Sequence, residues 1–175
     1  MYLRFRVLCI MVRIPRNEEL VRYIAYRLRE LRLARGLSQE KVLFETGVRV
    51  EHIEMGRNNI TISTLHALCT LYGTTLHEFF TPSVEPETTD APEPTDNPEM
   101  SKKHIRNNEV INRIGAGFRE LRKAAGKGQK EVIKETGINV GNIEAGLFNP
   151  MLDTIDRLCR YYGTTLGEFF RELEM

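Results

Sequence analysis

Polar side chains that can hydrogen-bond to a phosphate or a base edge recur at matching places in the chain. The segment ETGVRVEHIEMG, residues 45–56, returns as ETGINVGNIEAG, residues 135–146, with every shared letter displaced by 90 positions. The outward polar candidates within these segments are Arg49 and His52 in the first copy and Asn139 and Asn142 in the second. Arginine can form two hydrogen bonds to guanine, and asparagine two to adenine. The alternative interpretation is an ordinary solvated face.

No pattern in the chain indicates catalysis or metal binding. The four histidines, His52, His66, His77 and His104, lack the spacing of metal ligands. No Ser/His/Asp, Cys/His or paired-carboxylate arrangement converges or repeats. The GKG run at residues 126–128 lacks the upstream glycine and the following Ser or Thr of a phosphate-binding loop. We therefore expect no enzyme activity, no cofactor and no metal.

The three cysteines favour a reducing compartment. Cys9, Cys69 and Cys159 form neither a CxxC pair nor an even disulfide framework. Cys69 and Cys159 lie on matching apolar stripes, which predicts buried small side chains. This usage predicts a cytoplasmic protein, and no apolar run is long enough to predict a membrane span.

Two similar units flank an acidic segment. The alignment of residues 17–80 with 107–170 needs no gap and contains 30 identical residues in 64 positions. Residues 81–100 hold six acidic residues and no basic one, whereas the chain before them carries +4 and the chain after them +3. The predicted organisation is an N-terminal arm (1–16), a first domain (17–80), a flexible acidic linker (81–104) and a second domain (105–172). The arm is either an edge strand or a poorly ordered extension ahead of a second start at Met11.

Each unit has the periodicity of a five-helix, all-α bundle. Leu20, Ile24, Leu28 and Leu31 share one face of the first predicted helix. The next segments, QEKVLFET, VEHIEM, ISTLHALCTLY and LHEFF, are each bounded by a glycine or by a Ser or Thr that can cap a helix. Two short helices joined through a glycine turn behind a longer helix form a helix-turn-helix.

Both units resemble the Cro/C1-type (lambda-repressor-like, XRE) family of helix-turn-helix DNA-binding domains. The resemblance rests on LRELRLARGLSQEKV, TGV, IEMGRNNITISTL and LYGTTLHEFF in the first unit. In the second unit it rests on FRELRKAAGKGQKEV, TGI, IEAGLFNPMLDTI and YYGTTLGEFF. It implies two tandem lambda-repressor-like domains in a DNA-binding transcriptional regulator. The implied partner is double-stranded DNA, engaged through either a homodimer or a pairing of the two domains within one chain.

The resemblance also assigns roles to individual residues. The glutamines that open the second helix of each unit, Gln39 and Gln129, are expected to contact DNA at an amide-bearing helix start. The remaining expected DNA contacts are Ser38, Lys41, Arg57, Asn58, Lys127 and Lys130, together with Arg49, His52, Asn139 and Asn142. Structural ion pairs are implied between Arg32 and Glu54 and between Arg122 and Glu144.

Both units depart from the family at the recognition helix. Three residues that family members usually carry between the turn glycine and the Ile-Glu pair are missing, which removes about 4.5 Å of helix. That turn is the part of the helix that reaches base edges. The alternative function is therefore a protein-interaction or antitoxin-like module whose DNA-reading helix is degenerate.

Overall fold

The computed structural model describes residues 17–81 and 105–175, and within them the chain is all-helical. The first five helices are α1 (Glu18–Ala34), α2 (Gln39–Thr46), α3 (Glu51–Glu54), α4 (Ile62–Tyr72) and α5 (Leu76–Phe80). The other five are α6 (Asn108–Ala124), α7 (Gln129–Thr136), α8 (Val140–Glu144), α9 (Leu152–Tyr161) and α10 (Leu166–Glu172). The all-α class is therefore confirmed. The expected N-terminal arm and nearly all of the expected linker lie outside the described residues.

Helix starts and stops follow the local sequence. Ser38 caps α2 because its side chain accepts a hydrogen bond from the Lys41 amide at 3.0 Å. At the other end of α2, Gly47 has φ 70°, a left-handed conformation that glycine adopts without a side-chain clash. Thr75 and Glu78 form a capping box at the start of α5. These local signals set the bounds of α2 and the start of α5.

The apolar stripes meet in one hydrophobic cluster that includes residues from α1–α5 and from α6–α10. Leu28 and Phe118 are fully buried at matching places on α1 and α6. Cys69 and Cys159 are 1% and 0% exposed, which confirms the prediction of buried thiols. Burial raises the pKa of both thiols.

Residues 17–81, called the first half, contact residues 105–175, called the second half, through a bridge at the start of α4 and α9. The Ile62 amide donates to the Pro150 carbonyl at 2.9 Å, and the Leu152 amide donates to the Ile60 carbonyl at the same distance. Ile60 and Pro150 are repeat equivalents, and so are Ile62 and Leu152, so each bond is the counterpart of the other with the two halves exchanged. The contact is therefore self-complementary, like the interface of a two-fold symmetric dimer.

A second contact between the halves joins α5 to α10. The rings of Phe80 and Phe170, which are repeat equivalents, stack with centroids 5.6 Å apart. The His77 amide donates to the Met175 carbonyl at 2.7 Å, and Met175 is only 9% exposed. Residues 173–175, which the predicted second domain leaves out, therefore belong to the packed structure.

Gly115 lets α8 approach α6 closely, and we expect Gly115→Ala to lower the free energy of unfolding by about 1–3 kcal/mol. A Cβ there would lie 2.5 Å from the Ile143 carbonyl oxygen, a backbone atom that cannot move alone. This clash outweighs the gain of about 1 kcal/mol that alanine brings to a helix. Urea unfolding measures the change.

Gly141→Ala is the matched control, because a Cβ there would meet the flexible Gln129 side chain at 3.3 Å. We expect that variant to be as stable as the native chain or slightly more stable. A Gly115→Ala chain with undiminished stability would contradict the close approach of α8 to α6.

Candidate nucleic-acid interface

The first candidate surface is built by α2, the Gly47 turn and α3. Val42, Val50 and Ile53 are buried and hold these short helices on the core. The α3 helix has only four residues, little more than one turn, and Val50 at its start provides no side-chain cap. The recognition helix is therefore as short as the spacing in the sequence predicts.

A buried ion pair fixes α3 against α1. Arg32 Nε donates to Glu54 Oε1 at 2.6 Å, and Arg32 Nη2 donates to Glu54 Oε2 at 2.8 Å. The third nitrogen, Nη1, donates to the Leu37 carbonyl at 2.8 Å. Gln39 Nε2 then donates to Glu54 Oε2 at 2.9 Å. One carboxylate thus ties α1, the start of α2 and α3 together.

The second half repeats this network with the same atoms. Arg122 Nε donates to Glu144 Oε1 at 2.6 Å, Arg122 Nη1 to the Lys127 carbonyl at 2.9 Å, and Gln129 Nε2 to Glu144 Oε2 at 2.8 Å. Arg119 adds a bond to the Glu144 carbonyl at 3.0 Å. Both ion pairs implied by the family resemblance are present in the structure.

Burial by itself would raise the pKa of Glu54, but hydrogen bonds from Arg32 and Gln39 outweigh it and hold the pKa below its usual value. The pKa of Glu144 is lowered in the same way by Arg122 and Gln129. Both carboxylates therefore stay ionised around neutral pH.

The side-chain amides of Gln39 and Gln129 are engaged by the glutamates of the ion pairs, which the sequence does not suggest. Each was expected to face DNA, yet in both halves the amide nitrogen donates to the glutamate of the ion pair. An amide nitrogen carries two hydrogens, so one N–H remains for an outside acceptor. The roles of both residues in DNA contact remain predictions.

The other predicted contacts of the first half lie on its surface. Ser38, Lys41, Arg49, His52, Arg57 and Asn58 are all exposed. Lys41 Nζ lies 2.5 Å from Glu45 Oε1 and 5.5 Å from the centre of the Phe44 ring, so part of its charge is already balanced. Arg49 stands in the turn between α2 and α3. These residues are exposed polar side chains on α2 and α3 and in the turns beside them.

The second half places its predicted contacts differently. Lys127 Nζ contacts Glu131 at 2.7 Å and Glu135 at 3.2 Å, so two carboxylates surround its charge. Asn139 Oδ1 accepts from the Asn142 amide at 3.3 Å and caps α8. The predicted contacts that stay exposed here are Gln129, Lys130, Asn139 and Asn142.

Exposed apolar residues beside both surfaces were missed at the sequence level. Phe44 is 82% exposed and Met55 51% exposed in the first half. Leu147 and Phe148 are 70% and 48% exposed in the second half, directly after the Gly146 turn. Phe44 lies two residues after the buried Val42 on α2. Because residues two apart on a helix lie on different faces, the sequence could have predicted that Phe44 points away from the core.

Within the described ranges, no helix combines the length and apolar character that a membrane span requires. A search of curated proteins gives no match, and neither does a search of solved structures. A family model described as a helix-turn-helix domain matches residues 24–79, from α1 into α5. Residues 24–79 therefore carry a helix-turn-helix domain, which at the coarse level suggests a DNA-binding regulator.

Proposed function

We propose that this chain is a DNA-binding transcriptional regulator in which two lambda-repressor-like helix-turn-helix domains act as a pair. The observation that carries the proposal is the helix-turn-helix match over residues 24–79, where α2 and α3 flank a turn that exposes Arg49. The proposed partner is duplex DNA in the cytoplasm. The proposal includes no catalytic role, because nothing in the sequence favours one.

The second domain of the proposal rests on the repeat and on the shared buried network. The second half has the same helix order as the first and the same Arg–Glu–Gln arrangement. In the proposal, the Arg–Glu pair of such a network fixes the two short helices of a reading surface and does not itself contact DNA. The second half is proposed to be a second copy of the domain for this reason.

Packing between the halves gives the proposed pair a fixed geometry. The sequence favours a tether, since 20 extended residues reach roughly 60 Å, which exceeds the ~34 Å between half-sites one DNA turn apart. The hydrogen bonds between residues 60–62 and 150–152 support a closer arrangement than that tether requires. The spacing between half-sites is then set by the interface and not by linker length.

Titration of labelled genomic fragments at low and moderate salt tests duplex binding. We expect Arg49→Ala to weaken binding about 5- to 100-fold, because arginine forms strong paired contacts to guanine. Arg171→Ala removes the same charge from an exposed site on α10, outside the helix-turn-helix, and is the matched control. Equal losses of affinity from both variants would show that the loss comes from net charge and not from the position of Arg49. Absence of binding by the native chain even at low salt would refute the proposal.

A protein-interaction module is the second candidate function. The single turn of α3 favours it, because so short a helix offers few side chains to base edges, and the 82% exposed Phe44 beside it offers an apolar contact instead. A chain that binds no duplex at low salt but is otherwise folded would support this alternative.

A further inference from the structure

We propose that the DNA site of this protein is not a palindrome, and that its sequence information is concentrated in the half-site under the first half. This inference rests on the proposed function. It follows from differences between residues that the repeat places at matching positions. A symmetric pair of identical surfaces would instead select two identical half-sites.

The contacts between the halves place the two surfaces in one frame. The backbone N–H of Asn17 donates to Asp153 Oδ1 at 3.0 Å, and the backbone N–H of its repeat equivalent, Asn107, donates to Ser63 Oγ at 3.0 Å. Because the halves are related in this self-complementary way, equivalent residues face equivalent positions in two half-sites. Any difference between equivalent side chains then becomes a difference in the bases that each half selects.

The first difference is Arg49 against Asn139. Arg49 is exposed and plays no part in capping, since α3 begins without a side-chain cap. Asn139 Oδ1 accepts a hydrogen bond from the backbone N–H of Asn142 at the start of α8. An asparagine needs that oxygen as well as its nitrogen to form a paired contact with adenine. Arg49 can therefore orient its whole guanidinium toward a base pair, whereas the Asn139 side chain is held at the start of α8 by its cap bond, which restricts how its oxygen can be presented to a base.

The second difference lies in the loops that follow α3 and α8. Where the first half has the exposed residues Arg57 and Asn58, the second half has Leu147 and Phe148. Phosphates are bound by N–H and O–H donors, which leucine and phenylalanine side chains lack. At these two loop positions, side chains that can donate to phosphate are therefore present only in the first half.

The third difference lies in three lysines of the second half, Lys127, Lys130 and Lys134, whose repeat equivalents are Leu37, Glu40 and Phe44. The charge of Lys127 is surrounded by Glu131 and Glu135, and Glu135 also accepts from the Tyr161 hydroxyl. Lys130 and Lys134 remain exposed on α7. They provide attraction to the DNA backbone, which does not depend on sequence. The second half is thus equipped to bind DNA with little discrimination among bases.

Selection from a pool of random duplexes, followed by single-base substitution across the selected site, tests the inference. We expect substitutions in one half-site to weaken binding about 5- to 100-fold and those in the other by less than about 3-fold. Arg49→Ala should abolish the preference in the sensitive half-site. Asn139→Ser should change affinity by less than about 3-fold, because serine keeps the helix cap and removes only the amide.

The outcomes separate this inference from the proposed function. A selected palindrome whose two half-sites respond equally, with equal losses from Arg49→Ala and Asn139→Ser, would overturn the inference and leave DNA binding intact. A pool that yields no bound duplex would overturn the proposed function itself. Circular dichroism of both variants checks that they are folded, so that a loss of affinity can be assigned to lost contacts with DNA.

Discussion

Replacing Arg32 by alanine is expected to lower the free energy of unfolding by about 3–5 kcal/mol, because a buried charge then loses its partner. The side chains of Arg32 and Glu54 are 9% and 4% exposed, so water cannot replace the lost guanidinium. The variant also loses the bond to the Leu37 carbonyl, which holds the turn before α2. Urea unfolding followed by circular dichroism measures the change.

The matched control is Lys123→Ala, which breaks an exposed ion pair. Lys123 and Glu120 are 59% and 71% exposed and contact each other at 3.0 Å. Exposed pairs three residues apart on a helix contribute only about 0.2–0.5 kcal/mol. If Arg32→Ala were as mild as this control, the buried network would not be what fixes α3 on α1.

The pH dependence gives an independent measurement of the same ion pair. The pKa of Glu54 is lower in the folded protein than its usual value of about 4.5. Its stabilising contribution is therefore fully present above that usual value and is lost as the pH falls through the lowered folded pKa. The difference in stability between the native chain and Arg32→Ala should narrow below about pH 4.5. A constant difference down to pH 2 would contradict an ion pair as its source.

The helices of this fold can be predicted closely from the sequence because their signals are local. The α2 helix has the predicted bounds, with Ser38 as cap and Gly47 as stop. The predicted third helix, VEHIEM, is one residue longer at each end than the observed α3. Caps and glycine turns act within a few residues, so one sequence suffices to place them.

The candidate site could be predicted less well because its contacts are not local. The sequence alone does not show that Gln39 bonds to Glu54, fifteen positions away, or that Lys127 contacts two carboxylates. Both side chains are long and flexible, and their partners depend on how α2 and α3, or the turns of α7, are placed. The structure shows these hydrogen-bond and ion-pair partners, while the roles of both residues in DNA contact stay predictions.

An internal repeat does not determine how its two copies pack against each other. Two similar units can pack through many faces or stay apart, and composition does not choose among them. In the structure, the stacking of Phe80 on Phe170 joins the two halves. That ring contact therefore identifies the place where the interface can be tested most directly.

Phe170→Ala is expected to lower the free energy of unfolding by about 3–5 kcal/mol, the usual range for removing a buried phenylalanine ring. Phe170 is fully buried, and its ring contacts Phe169 of its own half as well as Phe80 of the other. Part of the loss should therefore depend on the first half. A double-mutant cycle with Phe80→Ala should give a coupling energy of about 0.5–1.5 kcal/mol, the range for aromatic pairs.

Phe118→Ala provides the matched comparison, because Phe118 is equally buried but its ring contacts are with Phe169 and Tyr162 of the second half. We expect a similar loss of stability, about 3–5 kcal/mol, but no coupling with Phe80→Ala. A cycle in which Phe170 and Phe118 couple equally to Phe80 would mean that the coupling energy arises from the core as a whole and not from the Phe80–Phe170 contact. A cycle without coupling for either residue would show that the halves do not meet at this ring pair in solution, and would contradict the fixed spacing that the proposed function assigns to the two halves.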